Sequence, residues 1–182
     1  TANMKDGEIV LEKEGSKANR RIYLTKYWEL ELSIAYHLKR LLNGANTFIV
    51  EDFDEKIKGA EESQGFQFTK EQLDGIKLGI EKQVCVISGL AGTGKSSLVS
   101  GILAVLNEYS FAQCALSGKA AACLQEVTGQ EGFTIHRLLG FGREGFSYNA
   151  SNPLPHNIII LDEISLVGGE IFLRLLEAIP TG

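Results

Sequence analysis

No apolar run in the chain approaches the roughly 20 residues that a membrane-spanning helix requires. Its polar start, TANMKDGEIV, has no signal-peptide core. The three cysteines, Cys85, Cys114 and Cys123, have none of the spacings that hold zinc. Two fall in apolar strand-like runs and the third in a helix-like one, a pattern that predicts buried, reduced thiols in an intracellular, cytoplasmic protein. Internal repeats and low-complexity tracts are absent as well. Positive charge is not in excess: 18 basic residues face 23 acidic ones, for a net charge of −5. The whole-molecule field therefore neither marks a nucleic-acid binder nor excludes one.

Much of the acid sits in one stretch, EDFDEKIKGAEE (51–62), read as a solvated segment. The rest of the chain is nearly neutral and leaves room for a local basic groove. At 182 residues, with 44% hydrophobic and 23% charged, the composition is that of a globular protein with one substantial core and a small appendage.

Residues 8–24 read as two short strands, EIVL and RIYL, around a polar, Gly-containing connection. An amphipathic helix is predicted from Lys26 to Leu42, with Trp28, Leu32, Ala35, Leu38 and Leu42 on its buried face and Asn43-Gly44 ending it. A second begins near Thr69, where T-K-E-Q matches a capping box and Leu73, Ile76 and Ile80 form the apolar stripe. From residue 83 onward the pattern alternates. VCVIS (84–88), FAQCALS (111–117) and NIIIL (157–161) read as strands. Helices follow at 95–108, 118–127 and 169–179. Strand–helix alternation predicts a parallel sheet with right-handed crossovers and helices on both faces. Its ligand edge lies at the carboxyl ends of the strands.

Gly89-Leu90-Ala91-Gly92-Thr93-Gly94-Lys95-Ser96 fits the Walker A pattern G-x-x-x-x-G-K-[ST] throughout, between an apolar strand-like run and a helix. A triphosphate is multiply negative, so the loop must turn backbone N–H groups inward, and side chains at Gly89, Gly92 and Gly94 would obstruct them. The helix N-terminus adds its positive end. Lys95 reaches the terminal phosphates and Ser96 offers its hydroxyl to Mg²⁺. Ala91, Thr93 and Ser97 complete the expected ATP contacts.

About 70 residues downstream, the run Ile158–Leu161 ends in Asp162-Glu163. Asp162 is the expected Mg²⁺ partner and Glu163 the base that polarises an attacking water. Gln72 has two readings. Its amide reads the donor and acceptor edges of adenine, or it closes the capping box with Thr69.

Taken together these segments resemble the RecD-like DNA helicases of superfamily 1B, related to the exodeoxyribonuclease V alpha subunit. The resemblance runs from about Arg21 to the end. FTKEQLDGI resembles the Q motif, GLAGTGKSS motif I, LSGKAAACLQEVTG motif Ia, TIHRLL the following block and LDEISLV motif II. It implies a P-loop NTPase, RecA-like fold. Residues 66–182 would form part of the first motor domain and residues 1–65 an N-terminal appendage.

It further implies ATP and Mg²⁺ as ligands, Lys95 and Glu163 as catalytic groups, and Gln72 as an adenine contact. Single-stranded DNA would run along Ser117, Gly118, Lys119, Thr134, His136 and Arg137, although Lys119 also reads as an exposed helix residue and His136 as a polar anchor under its helix. Two departures stand out: SGK replaces the commoner TGK of motif Ia, and DEIS replaces DEAS. The chain ends at AIPTG, before the family's motif III and the second motor domain with its arginine finger, and so reads as an N-terminal motor piece of a 5′-to-3′ helicase. A nucleotide-binding switch or scaffold, and a P-loop ATPase of another kind (AAA-type or relaxase-linked), are the alternatives.

Overall fold

A computed structural model describes residues 9–13, 20–90 and 92–181. Strands β1 (Ile9–Lys13) and β2 (Arg20–Leu24) pair antiparallel and lead into α1 (Thr25–Leu42). Helices α2 (Phe53–Gln64), α3 (Lys70–Glu81) and α4 (Lys95–Val105) follow. The chain then runs through β3 (Phe111–Ala115), α5 (Gly118–Thr128), β4 (Gly132–Thr134) and α6 (Ile135–Leu138). A small hairpin, β5 (Phe141–Gly142) and β6 (Gly145–Phe146), precedes β7 (Ile158–Leu161), a 3₁₀ turn at Ile164–Leu166 and α7 (Gly169–Ala178).

The central sheet has three parallel strands in the order β4-β3-β7. Alternation along β7 divides the apolar residues between two cores. Ile159 and Leu161, with Ala112 and Cys114 of β3, pack into a cluster with Ile135, Leu138 and Leu139 of α6 and its cap, and with Leu175 and Ala178 of α7. Ile158 packs into the other, built from Ile57 of α2, Phe68, Ile76 and Ile80 around α3, and Val105 and Leu106 at the end of α4. Helices thus cover both faces, as a parallel sheet requires. Burial pushes the Cys114 thiol up to about 12.

Several expectations are corrected. VCVIS carries no strand pairing: residues 84–88 form no strand and join no sheet among the described residues, and Val86 is exposed. An apolar run supplies a strand's side chains but not its hydrogen-bonding neighbour. The amphipathic face of α1 is also reassigned. No residue of α1 is fully buried and Leu32, Ala35 and Leu42 are exposed, while Leu30 and Ile34 reach Gly169 at the start of α7. Of the cysteines, only Cys114 is buried, and Cys123 lies exposed on α5. The acidic stretch is mostly α2, a helix whose Phe53, Ile57 and Ala60 face the core while Asp54, Glu55 and Glu62 face solvent and Glu61, half-buried, accepts from Phe68 N–H at 2.8 Å.

Candidate nucleotide-binding site

The phosphate loop lies between residue 88 and α4. Gly92 and Gly94 have φ of 80° and 83°, left-handed conformations that glycine adopts without strain. Gly89 is required by proximity instead: a Cβ there would lie 2.7 Å from Thr93 Oγ1. Thr93 folds back on the loop, its hydroxyl donating to the Leu90 carbonyl at 2.8 Å. Lys95 Nζ donates to the carbonyl oxygens of Gly89 and Leu90, both at 2.9 Å. The ammonium is thereby held inside the loop, at the mouth where phosphate oxygens would compete for it. Ser96 and Ser97 occupy the first turn of α4. Ala91, also expected at the nucleotide, lies outside the described residues.

Connectivity brings the acids to the same edge of the sheet. From α4 the chain turns back into β3, and Val105 and Leu106, at the far end of α4, pack with Ile158 at the start of β7. The head of α4 therefore lies toward the carboxyl ends of β3 and β7. Asp162 leaves β7 there, its N–H donating to Cys114 O at 2.9 Å. Glu163 is one of two non-glycine residues with positive φ among those described, at φ 51° and ψ 43°, and its N–H donates to Asp162 Oδ1 at 2.9 Å. This left-handed step stores strain of about 1 kcal/mol at the carboxylate pair.

The residues present suit a magnesium–nucleotide. No group of three His, Cys, Asp or Glu side chains able to hold a metal occurs among the described residues. Magnesium bound largely through water and phosphate oxygens needs only one carboxylate and one hydroxyl from the protein.

Gln72 does close the capping box: its Oε1 accepts from Thr69 N–H at 2.9 Å, and Thr69 Oγ1 accepts from Gln72 N–H at 3.2 Å. Its amide nitrogen faces the phosphate loop, 3.5 Å from Gly94 O. Both readings of Gln72 begin from this position, at the head of α3 and against the loop.

The other expected contacts gather at the carboxyl ends of the neighbouring strands β3 and β4. Ser117 caps α5, accepting from Ala120 N–H at 3.1 Å, with Gly118 and exposed Lys119 in the first turn. Thr134 caps α6, accepting from Arg137 N–H at 3.2 Å. Arg137 lies over the Phe133 ring, 5.1 Å from its centroid, and pairs with Glu131 at 3.0 Å. His136 is exposed and packs edge-on against Phe141, 5.6 Å between ring centroids, in a cluster with Phe146. The sequence reading missed this aromatic hairpin. Its signal is Phe141-Gly-Arg-Glu-Gly-Phe146, two aromatics bracketing a two-residue turn.

The chain is similar to known proteins over most of its length. A family model described as an AAA domain matches residues 72–182. The chain is 34% identical over 184 residues to the ATP-dependent RecD2 DNA helicase of Deinococcus radiodurans, a match covering 97% of the chain and 25% of that protein. It is 32% identical over 186 residues to the RecBCD enzyme subunit RecD of Mycolicibacterium smegmatis, covering 87% of the chain and 32% of that protein. With the same subunit of Mycobacterium tuberculosis it shares 31% over 191 residues, 90% of the chain and 32% of that protein. The chain spans about a quarter to a third of the length of these curated relatives. A three-layer α/β fold with a phosphate loop heading α4, matched by the family model over residues 72–182, identifies the chain as a member of the AAA domain family with RecD-type proteins among its homologues.

Proposed function

We propose that the chain is the ATP- and Mg²⁺-binding first motor domain of a cytoplasmic, ATP-dependent 5′-to-3′ DNA helicase, residues 66–182 forming the ATPase unit and residues 1–65 an appendage. The observation that supports this reading is a glycine-rich loop heading α4, with Lys95 folded onto its carbonyls, in a chain whose parallel strands β7, β3 and β4 end at Asp162-Glu163 and at the capped helix ends Ser117 and Thr134. In this reading the loop N–H groups and Lys95 hold the phosphates, with Ser96 and Asp162 holding the magnesium. The metal, when bound, would neutralise charge that develops on the phosphates. Glu163 accepts a proton from the attacking water.

Single-stranded DNA follows the carboxyl ends of β3 and β4. The N-termini of α5 and α6 and the side chains of Lys119 and His136 face its phosphates there, with Arg137 released from Glu131. The remaining motor domain of the full-length protein supplies the second half of the ATPase cleft. That an arginine is needed from outside this chain is expected to leave the chain alone with turnover lower by about 10³–10⁵.

Fluorescence anisotropy with labelled oligodeoxythymidylate tests the reading. Affinity should fall with rising salt, because phosphate contacts release counterions, and Lys119→Ala should weaken it. Affinity indifferent to both would remove the DNA edge and favour the nucleotide-dependent switch.

A further inference from the structure

Arg137 lies in the first turn of α6, just beyond the carboxyl end of β4, yet its guanidinium is drawn back from that end. β4 pairs parallel with β3, Gln113 beside Gly132 and Ala115 beside Thr134. The Thr134 end therefore adjoins the turn that carries Ser117, Gly118 and Lys119. Glu131 stands at the opposite end, one residue before the strand begins. The guanidinium lies back along the strand between them. It sits 5.1 Å from the centroid of the Phe133 ring, and its Nη2 donates to Glu131 Oε1 at 3.0 Å. The backbone of Arg137 stays at the strand end, its N–H donating to Thr134 Oγ1 at 3.2 Å.

An exposed ion pair is ordinarily weak, because two long side chains must be held in one geometry. Here the backbone has done much of that ordering. Gln113, fully buried in β3, donates to Gln130 O at 2.6 Å and to Thr128 Oγ1 at 2.7 Å. On the other side of Glu131, Gly132 N–H donates to Gln125 Oε1 at 3.4 Å, and a Cβ at Gly132 would collide with the Ala121 carbonyl. Phe133 is partly buried against the core cluster that holds Ile135 and Leu138. Carboxylate and ring thus form a fixed seat for one guanidinium. The seat remains open to exchange: the Arg137 and Glu131 side chains are 68% and 59% exposed, and only Nη2 is engaged by the carboxylate. A phosphate can meet the same fork with two oxygens.

We propose that Glu131 is an internal competitor of nucleic-acid phosphate: it holds Arg137 retracted, so that a single strand gains this contact only by displacing a carboxylate. On exchange the guanidinium swings toward the Thr134 end, a phosphate takes the place of the carboxylate, and Glu131 returns to water. Affinity for the strand is lower than a free arginine would give, by the strength of the internal pair. The inference rests on the DNA reading above and adds a regulator of that same edge.

The test is a double-mutant cycle read by fluorescence anisotropy with labelled oligodeoxythymidylate, on the chain, Glu131→Gln, Arg137→Ala and the double variant. Measurements are made at about 0.15 M salt, where charges more than about 8 Å apart are largely screened. Glutamine keeps the shape of the side chain and removes its charge. Glu131→Gln should tighten binding about two- to fivefold, the range of an exposed ion pair, and Arg137→Ala should weaken it. In the Arg137→Ala background the gain from Glu131→Gln should vanish. A gain that persists there is general relief of repulsion and overturns the proposal, as does unchanged or weaker binding by Glu131→Gln alone. Lys119→Ala separates this inference from the reading beneath it. Salt-sensitive binding that Lys119→Ala weakens, with Glu131→Gln silent, keeps the DNA edge and removes only the competitor. Wild-type binding indifferent to salt and to Lys119→Ala removes the DNA edge, and the competitor with it.

Discussion

Lys95 Nζ donates to the carbonyl oxygen of Gly89 at 2.9 Å, closing the phosphate loop on its own backbone. In the proposed reading, a phosphate entering the loop would have to draw the ammonium away from Gly89 and Leu90. Lys95→Ala removes both the internal contact and the charge offered to phosphate. Its expected effect is loss of measurable Mg²⁺–nucleotide binding, with a thermal midpoint within a few degrees of wild type because the contact is solvent-exposed. Retained binding in calorimetry would place the phosphates elsewhere.

Glu163 carries both the expected proton acceptor and a left-handed backbone, φ 51°. In the full-length protein, Glu163→Gln should keep nucleotide affinity and lose turnover by at least about 10²-fold, the usual worth of a general base. Glu163→Gly should lose turnover too, yet stabilise the fold by up to about 1 kcal/mol by relieving the left-handed residue. Turnover surviving Glu163→Gln would remove it as the base. A destabilised Glu163→Gly would show that its side chain supports the fold.

Arg40 of α1 reaches across to the end of α7. Its guanidinium donates to Leu176 O and Ile179 O, both at 2.8 Å, and to Thr181 Oγ1 at 2.6 Å. It satisfies the Ile179 carbonyl and gives a second donor to that of Leu176, which already accepts from Ile179 N–H at 3.3 Å, and it tethers α1 to the end of α7. Arg40→Ala should cost about 2 kcal/mol in urea denaturation, and Arg40→Lys should recover little, since an ammonium cannot span the same fork. Full recovery with lysine would mean that charge alone matters.

The capping box, the Walker A loop and the Asp162-Glu163 pair were legible in the sequence because each is a short-range constellation whose residues sit within a few positions of one another. What escaped depends on partners distant in the chain. Residues 84–88 have side chains suited to a buried strand but pair with no strand among the described residues. β4 is only three residues, GFT, recognisable as a strand once β3 lies beside it. The docking face of α1 was misassigned because apolar residues occur on more than one side. Leu30 and Ile34 are selected only by the presence of α7. Helix α2 was hidden by its charges, most of which are exposed while Ile57 is 7% accessible.

His37 and His156 both favour their neutral forms in the fold. Burial lowers the pKa of His37 first, helped by the neighbouring Arg40 guanidinium and opposed by Glu177, while burial alone lowers that of His156. The unfolded chain protonates both near 6.5. Below that pH it takes up protons that the folded chain resists, so this stabilisation is complete above about 6.5 and is lost as pH falls through the lower folded values. Urea midpoints should therefore decline between pH 7 and 5, and His37→Gln and His156→Gln together should flatten the decline. An unaltered slope in the double variant would assign the acid sensitivity to other groups.

The two cores on either side of the sheet are joined differently from the strands within it. β3 and β7 are laced by backbone bonds, whereas the layer of α2, α3 and α4 rests on the sheet through side chains such as Ile158, with no paired strand of its own among the described residues. Packed surfaces can slide where hydrogen-bonded ladders cannot. A nucleotide held at once by the loop at the head of α4 and by the carboxylates beyond β7, as proposed above, would add a link between layer and sheet and act as a rivet between two plates. Ligand occupancy and cohesion of the layers are then linked quantities, and the protein should be most resistant to unfolding when that rivet is in place.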